Sequence, residues 1–214
     1  KPRVIVEVGG GLGYLARELG KELLPFEKQT IHYISLDITQ PFLTLQVTRA
    51  KAGGWGGIGT RANGEWLPFK NNSVDLVIDN ENMADMTPVK LTRAELLNGT
   101  GTTPQHQEAL DWIRRVRLPI TQDVPEDVIF NLGPFRFVAE LWRVLKPGGR
   151  AFLTEFGIEE GWPAPVKLPG HTEYEVQYSH LRQAVRWLGF QERYLSLPQF
   201  LAIKPDTKVL CTGA

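Results

Sequence analysis

Several features are scarce or missing in this sequence, and each absence excludes something. A single cysteine, Cys211, stands in 214 residues, which excludes an internal disulfide framework and fits a reducing, cytoplasmic setting. Net charge is absent, since 24 Lys and Arg balance 24 Asp and Glu. No global field therefore gathers nucleic acid or an anionic membrane surface. No apolar run approaches the roughly 20 residues of a membrane-spanning helix, and the N-terminal residues lack a signal-peptide pattern. Internal repeats and low-complexity tracts are missing too. What remains is one domain-sized chain with a full core, and neither nucleic acid nor membrane among its expected partners.

What is present is punctuation: 21 Gly and 15 Pro divide short Val/Ile runs from helical patterns. That alternation predicts βαβ units and a mainly parallel sheet. Strands are expected at residues 3–8, 31–36 (closed by Asp37), 58–62, 74–79 and 150–155, then near 191–197 and 208–212. Helices are expected at 12–24, from Pro41 to about Ala50, from Pro134 onward, and at 179–188. Residues 86–133 are too many for an ordinary connection, and read as an insertion within a single domain of residues 1–214, covering the substrate. Within it Thr103 can cap a helix that opens at Pro104 and turns Ala109, Leu110, Ile113 and Val116 to one side.

The turn in VIVEVGGGLGY, residues 4–14, carries the functional signal. A glycine turn after the first strand of a parallel sheet lies where ligands bind, and lets a ligand touch bare main chain. A dinucleotide turn needs G-x-G-x-x-G, whereas Gly9, Gly11 and Gly13 give G-x-G-x-G with Tyr14 in the packing position. Glu7 adds a carboxylate that would repel a pyrophosphate. A ligand carrying a cation and no phosphate fits better.

Four segments in order then resemble the class I, Rossmann-like S-adenosylmethionine-dependent methyltransferases. They are E-V-G-G-G-L-G at 7–13, Asp37 closing the second strand, N-G-E-W-L-P-F at 63–69 with NNSVDLVI at 71–78, and E-L-W-R-V-L-K-P-G-G-R at 140–150. The resemblance implies a seven-stranded, mostly parallel sheet with its last strand antiparallel, helices on both faces, and S-adenosyl-L-methionine as cofactor. It assigns Glu7 to the methionyl end, Gly9, Gly10, Gly11 and Gly13 to the cofactor-lining turn, and Asp37 to the ribose. Asn63 (in place of the usual acid), Gly64 and Ile38 fall to the adenine, and Asp79 and Asn80 to the cofactor's amino-acid end.

Methyl transfer chiefly requires a nucleophile placed at about 3–3.5 Å in line with the S–C bond, with water excluded. A base is needed only for an acceptor that must lose a proton; the candidates are Glu81, Asp85, Glu155, His106 and His171, with Glu155 and Glu81 placed foremost. Glu155 competes with a loop-anchoring role. Trp112, Leu118, Phe130, Trp162 and Tyr174 point to a covered pocket for a fairly bulky small-molecule acceptor. A protein arginine held by Glu81 and Asp85 is the alternative acceptor, and a non-catalytic cofactor-binding domain the alternative role. H-T-E at 171–173 with His180 matches no compact metal spacing, so no metal is expected.

Overall fold

The computed structural model describes residues 3–200. The first half builds strands and helices in turn: β1 (Arg3–Val8), α1 (Tyr14–Glu22), the short α2 (Pro25–Lys28), β2 (Ile31–Asp37), α3 (Gln40–Ala52), β3 (Ile58–Arg61) and β4 (Val74–Asn80). A 3-10 turn at Met83–Asp85 leads to β5 (Val89–Thr92), α4 (Arg93–Asn98), α5 (Pro104–Val116) and β6 (Asp127–Phe130). Then come α6 (Leu132–Val144), β7 (Leu145–Thr154), β8 (Gly157–Ile158), β9 (Pro165–Leu168), β10 (His171–Tyr174), β11 (Val176–Gln177), α7 (Tyr178–Trp187) and the single turn α8 (Leu197–Phe200).

The sheet runs β3-β2-β1-β4-β7 with every pairing parallel. Strand order reverses on either side of β1, and Val8 lies level with both Leu36 of β2 and Asp79 of β4. The carboxyl ends of three strands therefore open at one height, at the switch point where such sheets hold ligands. Alternation along the strands serves two cores. Ile5, Tyr33 and Ile78 join Ala16, Ala50 and Trp55 under α1 and α3. Val6, Val8, Leu36 and Val77 join the larger cluster with α5, α6 and α7 on the other face. Each fully buried valine of that kind contributes roughly 1.5–3 kcal/mol over an exposed one.

The expectation of seven strands with an antiparallel last one is corrected. Five parallel strands form the central sheet among the described residues. The stretch expected as a strand near 191–197 is irregular, then helical at Leu197–Phe200. Its side chains are fastened to a helix: Glu192 pairs with Arg182 and Arg186 of α7, and Tyr194 packs at 5.3 Å against Tyr178 of α7. The strand expected at 208–212 lies outside the described residues.

Within 86–133 the helix from Pro104 to Val116 forms as expected, its Thr103 hydroxyl accepting from the His106 amide. An antiparallel β5–β6 pair accompanies it, which periodicity did not reveal. Leu91, Leu110, Ile113 and Phe130 belong to the same hydrophobic cluster as the sheet. The Lys146-Pro-Gly-Gly149 turn is absorbed into β7 as a bulge between the partners of Val74 and Leu76. No helix among the described residues is long and apolar enough to cross a membrane.

Candidate functional site

A crevice of about 440 Å³ opens outside β1, β2 and β4, lined by Gly9, Asp37, Ile38, Asn63, Gly64 and Asn82, with Glu65 and the segment Asp85–Pro88 on its far side. Two larger hollows lie elsewhere. One of about 840 Å³ sits at the Lys146–Gly149 turn, the other of about 570 Å³ between Trp66 and Trp112. Neither is at the strand ends that the topology marks, so the smaller crevice is the candidate site.

The glycine turn is shaped mostly by its own protein neighbours. Gly9 holds φ +60°, and a Cβ there would collide with the Asn82 side chain at 2.2 Å. Gly10 lies directly over the Glu7 carboxyl, and Gly13 over the Gln46 main chain at 2.7 Å. Gly13 thus provides the close helix approach that dinucleotide turns reserve for a later glycine. Gly11 differs: it holds φ +48° with nothing within 4 Å of its missing side chain. It is the glycine of this turn that faces open space.

Glu7 does not reach the crevice. Its buried carboxyl accepts from the Tyr33 hydroxyl at 2.8 Å, and burial pushes its pKa up to about 7 against the lowering effect of that bond. It supports the turn from beneath. Asp37 does line the crevice, although its Oδ1 accepts from the Thr39 amide at 2.8 Å and its Oδ2 from the Gln46 side chain at 2.7 Å. The same Gln46 amide donates to the Gly11 carbonyl at 3.1 Å, tying the acid to the turn. Carboxylate oxygens accept more than one bond each, so Asp37 keeps capacity for a diol.

Asn63 Oδ1 accepts from the Glu65 amide at 2.8 Å, which leaves that oxygen one lone pair for an adenine amino group. Gly64 brings bare backbone beside Val8, and Ile38 stands 64% exposed at the mouth. Asp79 is fully buried and holds Asn82 through Oδ2 at 2.7 Å, while its Oδ1 has no partner among the described residues. Burial pushes its pKa up to about 8; the Asn82 bond opposes this and the Glu155 charge adds to it. Asn80 is exposed and accepts from Thr154.

Of the candidate bases, Glu155 is tied to the backbone. Its oxygens accept from the Ala84 and Phe156 amides, each at 2.9 Å, anchoring the 3-10 turn. Glu81 is exposed in a left-handed backbone conformation, φ +52°, which few non-glycine residues adopt. The aromatic pocket is corrected as well: Trp112, Leu118 and Phe130 are buried in the core, and Trp162 meets His180 edge-to-face at 5.1 Å.

Sequence reasoning missed Asn82, Gln46 and Glu65. Gln46 had a signal, because it shares the inward stripe of α3 with Leu43 and Ala50 where an apolar residue is expected. Glu65, which lines the crevice and pairs with Arg136 at 2.9 Å across 71 residues, had none.

No family model and no curated protein matches the sequence. Solved structures match in fold. The [4+2]-cyclase SpnF aligns with a TM-score of 0.55 at 17% identity, over 88% of this chain and 52% of its own. A SAM-dependent methyltransferase from Methanosarcina mazei aligns with a TM-score of 0.53 at 16% identity, over 90% of this chain and 82% of its own. The chain spans about half the length of the cyclase. It has the Rossmann-like fold of S-adenosylmethionine-dependent methyltransferases, and fold alone does not decide the reaction.

Proposed function

We propose that this fold binds S-adenosylmethionine in the crevice beside the glycine turn and transfers its methyl group to a small-molecule acceptor. One observation supports the reading above the others. The ionisable side chains lining the crevice are Asp37, Glu65 and Asp85, with no Lys, Arg or His among the described lining residues. Glu65 is neutralised by Arg136, and the remaining lining charges, Asp37 and Asp85, repel a pyrophosphate but suit a sulfonium nucleoside with an ammonium end.

The residues fit the cofactor in parts. Gly11 leaves main chain open to it, Asp37 offers acceptors to a ribose diol, and Ile38 offers an apolar surface to a base. The unpartnered, buried Oδ1 of Asp79 is an acceptor that the fold itself leaves unsatisfied. The bound cofactor would supply an electrophilic methyl group. The protein's own part is to place the acceptor in line and keep water out.

Glu155, held by two amides, acts as a positioning residue for the 3-10 turn. Of the residues that argued for a bulky acceptor, Trp112, Leu118 and Phe130 lie in the core, which removes them from an acceptor pocket. Titration calorimetry against S-adenosylmethionine and NADH tests the reading. The sulfonium compound should bind and NADH should not, and Asp37→Ala should weaken binding by about 1–3 kcal/mol, the scale of lost charged hydrogen bonds. Binding of NADH alone would overturn the assignment.

A further inference from the structure

At the rim of the crevice three ligand-type side chains converge from two separate parts of the chain. His171 Nε2 lies 2.9 Å from Glu173 Oε1 and 3.8 Å from Asp85 Oδ1, and the three donor atoms lie within 4.8 Å of one another. One ring nitrogen can satisfy one carboxylate at hydrogen-bond distance, and Glu173 takes it. The Asp85 carboxylate accepts no hydrogen bond among the described residues.

The backbone holds this arrangement firmly on both sides. His171 and Glu173 are alternate residues of β10, so they share one face, and pairing with Leu168 and Val166 of β9 fixes their register. Asp85 ends the 3-10 turn whose Met83 and Ala84 are buried and whose Ala84 amide is held by Glu155. Outward, the site is open: His171 and Asp85 side chains are about half exposed.

We infer that Asp85, His171 and Glu173 form a divalent-cation site at the edge of the crevice. Cations of this class sit about 2.0–2.2 Å from carboxylate and imidazole donors, which places neighbouring donors roughly 3 Å apart. The His171–Glu173 spacing already matches. Asp85 Oδ1, 3.8 Å from His171 Nε2, is on an exposed side chain free to change rotamer toward the other two donors. Two oxygens and one imidazole nitrogen suit a first-row ion such as Mn²⁺, with the remaining positions open to water or to an oxygen of a molecule in the crevice. The sequence concealed the site because its third ligand is Asp85, 86 residues before His171, and not the nearby His180.

Electron paramagnetic resonance of free Mn²⁺ tests this without S-adenosylmethionine, so the outcome does not depend on the proposed methyl transfer. The protein should remove one equivalent of the hexaaquo signal at sub-millimolar metal. His171→Ala and Glu173→Gln should each weaken binding by at least about tenfold, while Asp123→Asn on a distant loop leaves it unchanged. Circular dichroism of each variant confirms that it is folded. An undiminished signal with the unaltered protein would overturn the inference, and so would unaltered binding by folded His171→Ala.

Discussion

The two sides of the crevice are built differently. On the β1–β2 side the parts are neighbours in sequence: Glu7 lies beneath Gly10, Thr39 caps Asp37 two residues away, and Gln46 reaches Asp37 from nine residues on. On the β4–β7 side the parts meet from far apart. Glu155 holds Ala84 across 71 residues, Arg136 holds Glu65 across 71, and His171 faces Asp85. The first side has a core of local spacings, which a motif can record, tied to α3 and β2 by the Gln46–Gly11 and Tyr33–Glu7 bonds. The second is a set of tertiary pairings, which no motif can.

That difference explains what was legible. Strands β1 to β4, the helix from Pro104 and the crevice position follow from short-range pattern, because each depends on periodicity or turn chemistry within about ten residues. The acceptor pocket failed because aromatic residues in an insertion look the same whether they line a cavity or fill a core. Trp112 and Phe130 fill it, with Phe135 against both. Asn82, which meets Gly9 across the crevice, had no local signal, since its role depends on Glu81 taking a left-handed conformation just before it.

The contrast can be broken most strongly at Arg136. Its guanidinium is 11% exposed and pairs with Glu65, itself 4% exposed, and with Glu108. Removing one partner of a buried pair strands the other, so Arg136→Met should cost about 3–5 kcal/mol in urea unfolding. The crevice floor at Glu65 and Thr87 should loosen with it, read as faster amide exchange at Thr87, whose N–H donates to Glu65. Retained stability would show that the far pairings are decoration, and that the local motifs suffice.

Each side also carries a buried acid sensitive to pH, Glu7 on β1 and Asp79 on β4. Glu7 and Asp79 both titrate higher folded than unfolded, from 4.5 to about 7 and from 3.8 to about 8. The native state therefore binds more protons over that window, and stability falls as pH rises from about 4 to about 8. Below the window both states are protonated and the penalty vanishes. Glu7→Gln should flatten its share of the decline, on the order of 3 kcal/mol, while leaving the Asp79 share in place. Denaturant midpoints across the window measure this. A Glu7→Gln profile with an undiminished fall would mean that the carboxyl under Gly10 is already ionised.

The smallest effect on stability should come from Gln46→Leu, and it separates packing from ligand binding. Leucine fills the inward stripe of α3 and removes Gln46 Oε1, which is buried without a partner. It also removes the donor that ties Asp37 to the Gly11 carbonyl. The relief of one unsatisfied acceptor offsets much of the loss at Asp37, so net stability should change by about 1 kcal/mol or less. S-adenosylmethionine affinity should nevertheless drop several-fold, because a carboxylate free to turn binds a diol with less preorganisation. If affinity and stability instead fell together, Gln46 would be holding the fold and not aiming Asp37, and the near side of the crevice would owe its geometry to packing, as the far side does.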